Sequence, residues 1–219
     1  MRWRSKTQRL ALTAAIALLF VPTLASAQEA TPPARPSPEP AASAIRAWNA
    51  PEGSGYGTFY TTVWLYDSDG DAQAAFPQWP AFVNAIGSYA WKDPTWEAIA
   101  APRLGDESAA YQEQVTIDPN SMVLYVFLFV RVDRWIRIYQ ISTKHARANS
   151  ARVDEIINDA AKTARNVLSR RPSASTPTTQ GGITTGGAFD LLPGPGDVHA
   201  GMTLDYAFGE IQGTPIPHR

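Results

Sequence analysis

Cysteine is absent from this chain. With it go a disulfide framework, a thiolate-ligated zinc site and a lipid-attachment residue behind a leader, so the fold must be held by its core. Histidine is scarce: His145, His199 and His218 are the only three, and no two stand at a metal-ligand spacing. Two catalytic signatures are missing as well. A nucleophile elbow needs a serine centred between glycines, and GSGYG at Gly53–Gly57 puts Ser54 off centre. GGITTGG at Gly181–Gly187 has no lysine behind its glycines and cradles no phosphate. No cofactor and no metal is implied.

Long apolar runs are few. The first is N-terminal, where Arg2, Arg4, Lys6 and Arg9 precede Leu10–Val21, then Pro22 and Ala25-Ser26-Ala27. A basic start, a short apolar stretch and an A-x-A site are the plan of a secretory signal peptide, so residues 1–27 are expected to be removed and the rest exported. The four basic residues of the leader, taken from 19 Lys and Arg, leave 15 against 20 acids, a net charge of −5. That balance argues against nucleic acid or an anionic membrane surface as partner.

Composition then divides the chain. Residues 28–43, with TPPARPSPEP at Thr31–Pro40, read as a Pro-rich, disordered, extended spacer, because proline removes backbone donors and fixes φ. Pro172–Gly187, PSASTPTTQGGITTGG, reads as a flexible linker. Residues 44–171 between them are long enough for one domain with its own core. Residues 188–219 are too apolar for a disordered tail and too short to fold alone. Either they fold back on the domain or they open a second module.

Within 44–171, Thr58–Tyr66 is β-branched and aromatic, a strand, and Asp67-Ser68-Asp69-Gly70 turns into a helix from about Asp71 that Pro77 and Pro80 must kink or split. Glu97–Ala101 and Ser108–Ile117 read as further strands. Val153, Ile156, Ile157, Ala160, Ala161, Ala164, Val167 and Leu168 fall on one helical stripe, with Asn149 or Ser150 as N-cap and Pro172 beyond the end. The order strand, broken helix, antiparallel strands, helix predicts an α+β domain: an antiparallel sheet covered by a long C-terminal amphipathic helix and a broken N-terminal one.

The second apolar run, MVLYVFLFVRVDRWIRIYQI at Met122–Ile141, poses a choice between membrane and core. Its uninterrupted part ends at Val130, before Arg131, Asp133, Arg134 and Arg137. Each such charge at a bilayer centre costs roughly 2.5–3.5 kcal/mol, so no membrane span is expected after signal cleavage. A hairpin fits instead, with Met122–Val130 as a central strand apolar on both faces and Trp135–Ser142 returning beside it. Trp135, Arg137 and Tyr139 share one face of the returning strand and are candidate ligand-binding residues if that face is open. Trp135 and Tyr139 belong to a wider crowd of aromatics that includes six tryptophans in the domain, rings that build cores and, at a surface, stack on sugars, lipids or peptides.

The acids offer less. Asp67, Asp69 and Asp71 alternate as in a calcium loop, but the loop's sixth position is Ala72 and its twelfth Gln78, so a turn with an N-cap explains them. Asp106-Glu107 and Asp154-Glu155 are sequence neighbours, which do not face each other across a cleft as a glycosidase pair must.

The succession TVWLYDSDGDAQAAF, PRLGDESAAYQ, the Met122–Ser142 hairpin and a final amphipathic helix resembles a family of uncharacterised secreted bacterial domains. Those run strand, "dA..aF" helix, "lGDe...y" turn, hairpin and closing helix, and LLPGPGDVHAGM is similar to the "LLP...DlP.GM" opening of such modules. The resemblance covers about half the chain, rests on structural punctuation, and implies an extracytoplasmic sensor-like or surface domain without transferring a catalytic residue. This sequence departs from the pattern in lacking glycine at the hairpin turn. The functional expectation is a secreted, non-enzymatic binding or sensor-like domain for a small molecule, glycan or protein. The alternative is a secreted hydrolase using carboxylates or a serine on the loops around Gly53–Tyr56 and Arg103–Ser108.

Overall fold

A computed structural model describes residues 33–91, 94–118, 121–143, 149–170, 192–211 and 214–217. The segments expected to be a signal peptide (1–27) and a linker (172–187), with His145 and His218, lie outside the described residues. The elements are β1 (Ala42–Asn49), β2 (Tyr56–Leu65), α1 (Asp69–Ala75), α2 (Gln78–Ala90), β3 (Thr95–Ile99), β4 (Glu107–Asp118), β5 (Ser121–Val132), β6 (Trp135–Thr143), α3 (Ser150–Ser169), β7 (Thr203–Ile211) and β8 (Thr214–Pro217). Their strands form one sheet in the order β3-β4-β5-β6-β2-β1-β7-β8, antiparallel at every pairing. The fold class is α+β.

Two hairpins organise the sheet. The first joins β1 to β2; the chain then leaves through α1 and α2 to the far edge, and β3 to β6 return strand by strand until β6 pairs with β2. Met122–Ile141 is the second hairpin: Val132 pairs with Trp135, so Asp133-Arg134 is its turn, with Asp133 at φ 48 where glycine is the commoner residue.

Side-chain alternation sorts the core into two layers. On one face Phe59, Leu124, Val126, Leu128, Tyr139 and Ile141 pack with Val153, Ile156, Ile157, Ala160, Ala161 and Ala164 of α3. On the other, Trp64, Phe127, Phe129, Ile136 and Ile138 pack with Ala72, Ala75, Phe76, Trp79 and Phe82 of α1 and α2. A strand flanked by both layers has no polar side to show, hence the unbroken apolar run of β5.

Local chemistry sets the helix ends. Ser68 caps α1, its Oγ accepting from the Asp71 amide at 3.0 Å, and Asn149 caps α3 by accepting from the Arg152 amide at 2.8 Å. Pro77 is the N-cap of α2 and Pro80 lies in its first turn, where an amide has no helical partner to lose. Trp79, carried on that turn, donates from Nε1 to the Tyr66 hydroxyl at 2.7 Å and stacks on Trp64 at 3.6 Å between centroids.

Both ends of the described chain are tied to the rest of it, one through α2 and one through the sheet. Ser37, in the Pro-rich stretch, is held by the Gln78 amide, which accepts from its N–H at 3.0 Å and donates to its carbonyl at 2.6 Å. β1 begins at Ala42, inside the stretch that composition assigns to the spacer. Of the two readings of residues 188–219, the described part lies on the main sheet: β7 pairs with β1 from Asn49 opposite Thr203 to Ala42 opposite Ile211.

Candidate functional site

Trp135, Arg137 and Tyr139 do share one face of β6, as strand periodicity requires, but that face is not open. β6 is an interior strand, and the face it shows there meets α3 and Leu192. Tyr139 is 0 % exposed and stacks on Phe59 with centroids 6.3 Å apart; burial pushes its phenol pKa up, while Arg137 beside it pulls the other way. Arg137 is 2 % exposed, in register with Val63 and Val130. Trp135 is half-buried against the small cluster of Ala44, Val63 and Leu192.

The acids of the two turns converge on a cation of the chain's own. Arg131, the first charge after the apolar run, has a side chain only 7 % exposed and is paired with Asp69, Glu107 (2.7 Å) and Asp106 (3.7 Å). Gly105 makes this possible: at φ 61 it brings the loop so close that a Cβ there would stand 2.3 Å from the Arg131 carbonyl. Asp106 then closes the corner by accepting from the Asp133 amide at 2.6 Å.

A third cluster has polar groups left at the surface. The β1–β2 turn, with Gly53 at φ 82 and Gly55 at φ 77, delivers Tyr56 to the start of β2 under α3. On α3, Arg152, Glu155 and Asp159 have spacing 0, 3, 7 and share a stripe beside the buried one. The loop after Leu192 is tied to the same helix: Thr163 donates from Oγ1 to the Asp197 carbonyl at 2.9 Å, Arg170 pairs with the Asp197 carboxylate, and Gly194 donates to that carboxylate at 2.7 Å. This loop presents His199.

These residues meet around one phenol. Tyr56 donates to Asp159 Oδ2 at 2.5 Å and reaches Glu155 Oε1 at 3.4 Å. Arg152 lies over its ring, Cζ 4.4 Å from the centroid, and binds Glu155 at 2.6 Å. His199 leans on the same ring at 4.9 Å, and its Nδ1 is 3.7 Å from Asp159 Oδ2. Burial first, then the bond to Asp159, drives the Tyr56 pKa far up, so the phenol remains a donor. The Arg152 hydrogen bond holds the Glu155 carboxyl below its ordinary pKa. His199 and Asp159 side chains are 42 % and 35 % exposed, so their free edges face solvent.

The cluster brings charged and hydrogen-bonding groups together at a solvent-facing edge. Two carboxylates offer acceptors and one guanidinium answers them; with an uncharged imidazole the cluster carries one net negative charge. Ser54, the nearest candidate nucleophile in sequence, is occupied by its turn: its Oγ donates to the Pro51 carbonyl at 2.8 Å and accepts from the Tyr56 amide at 3.3 Å. Ser108 likewise donates to the Pro102 carbonyl at 2.7 Å. Sequence reasoning missed this cluster. The 0, 3, 7 spacing on α3 was a usable signal, whereas nothing in GDVHAGM announces that His199 will meet Tyr56.

Comparison with protein-family models, with curated proteins and with solved structures gave no match.

Proposed function

We propose that the chain is an exported, non-enzymatic binding domain of sensor-like type, whose sheet is covered on one face by the long helix α3 and on the other by the broken pair α1–α2. Its ligand is engaged at the surface formed by Tyr56, Arg152, Glu155, Asp159 and His199. The carrying observation is the convergence of four titratable side chains, three from α3 and one from the loop after Leu192, on the protonated phenol of Tyr56, with carboxylate and imidazole edges left to solvent. Export rests on the leader, and the sensor-like character on the resemblance to secreted bacterial domains. Two carboxylates against one guanidinium favour a ligand that brings positive charge and hydrogen-bond donors.

A thermal-shift panel of trilysine, glucosamine, glucose and citrate, run on the wild type and on Asp159→Asn, tests this reading. Stabilisation by the cationic members that disappears in Asp159→Asn supports it. Equal shifts in both proteins, or a response to citrate alone, place binding elsewhere. The competing reading, a secreted hydrolase, would be favoured by turnover of a glycoside or ester substrate that Asp159→Asn abolishes.

A further inference from the structure

Glu113 is a carboxylate pointing the wrong way. It lies on β4 in register with Trp96 on β3 and Tyr125 on β5, on the face that packs against α1 and α2, and it is 3 % exposed. Its Oε1 has no hydrogen-bond partner among the described residues. The backbone of α2 rests directly on the carboxyl: a Cβ at Gly87 would stand 2.1 Å from Oε1 and 3.1 Å from Cδ. Glycine is therefore what allows the helix to seat here.

Among the described residues, the surroundings supply no counter-charge. The sequence of α2, QWPAFVNAIGSYA, contains no charged residue. Trp96 faces Glu113 from β3, Tyr111 and Val115 flank it along β4, and Tyr125 stands beside it on β5 with Tyr60 of β2 beyond. The described groups around the carboxyl are thus apolar or phenolic, and none is a cation. A neutral carboxylic acid is far cheaper to bury in such a place than an anion.

We propose that Glu113 is a protonation switch for the docking of α2: the protonated acid lets the helix seat on the sheet, and the ionised one loosens it and uncovers the aromatic layer of Trp79, Phe82 and Trp96. Desolvation pushes the carboxyl from 4.5 up to about 7 in the folded chain. The sign follows from linkage. A carboxyl whose folded pKa is raised contributes fully below the unfolded value, and that contribution is lost as pH climbs from about 4.5 to about 7, leaving the docked helix weakest above that range.

Native-state hydrogen exchange at pH 5.5 and pH 8, expressed as protection factors so that intrinsic exchange cancels, reads the effect helix by helix. In the wild type, α2 amides should lose protection by on the order of 10- to 100-fold between the two pH values while α3 amides hold theirs. Glu113→Gln should abolish the difference. Equal loss in α2 and α3, or the same loss in Glu113→Gln, overturns the proposal. If that variant does not fold, carbon-13 titration of the wild-type side-chain carboxyls decides: a Glu113 midpoint near 7 supports the switch, and a midpoint in the ordinary carboxylate range overturns it.

Discussion

The Tyr56 hydroxyl donates to Asp159 Oδ2 at 2.5 Å, joining the first residue of β2 to the middle of α3 across 103 residues of sequence. This bond does two things. It ties β2 to α3, and it occupies the same carboxylate oxygen that His199 Nδ1 approaches at 3.7 Å, on a side chain 35 % exposed to solvent. Tyr56→Phe keeps the ring under Arg152 and removes the bond. Because Asp159 is about one-third exposed, the expected cost is about 1 kcal/mol, read from urea unfolding.

The same phenol makes a pH prediction. Its folded pKa lies above that of a free tyrosine, so the stability it confers is complete below the ordinary phenol range and is lost as pH rises through it. The loss in wild-type stability between pH 9 and pH 11 should be smaller in Tyr56→Phe, measured by chemical denaturation at each pH. An identical decline in both proteins would mean that other groups carry the alkaline transition.

Arg131 binds the corner of the sheet together. Arg131→Met would retain much of the buried stem and leave Asp69, Asp106 and Glu107 facing one another without their shared cation. Removing one partner of a fully buried pair costs roughly 3–5 kcal/mol, but these carboxylates are half exposed, so about 2 kcal/mol is expected, with partial recovery in high salt.

Gly105 is the backbone counterpart of that corner. Alanine there meets both a left-handed φ and a carbonyl oxygen 2.3 Å from its Cβ. The conformational penalty alone is about 1–2 kcal/mol, and relieving the clash must shift the loop away from Arg131, so Gly105→Ala should cost about 3 kcal/mol in thermal or urea unfolding.

How much of this was legible in the sequence follows from the range of each interaction. The β5–β6 hairpin was readable because an apolar run too short for a bilayer meets arginines, a signal carried by neighbours in sequence. β1 was not: AASAIRAWN is rich in small residues, and what makes it a strand is pairing with β2 on one side and with β7, about 160 residues on, on the other. Trp135, Arg137 and Tyr139 were assigned correctly to one face, yet its exposure depended on α3 and Leu192, which periodicity on a single strand does not report. The Tyr56 cluster was hidden for the same reason, since His199 reaches it only through a loop pinned by Thr163 and Arg170.

That face now makes its own prediction. Tyr139 is enclosed by Phe59, Leu128 and α3, so Tyr139→Ala should behave as a core truncation and lose about 3–5 kcal/mol in urea unfolding. A variant of unchanged stability would show that the ring is not part of the core.

The binding surface itself is tested most directly by NMR titration of the wild-type protein with trilysine, following the side-chain resonances of His199 and Tyr56. Concerted movement of both along one saturable curve, absent in Asp159→Asn, is the expected result. A saturable curve in which His199 and Tyr56 stay still while resonances elsewhere move would contradict the placement of the site.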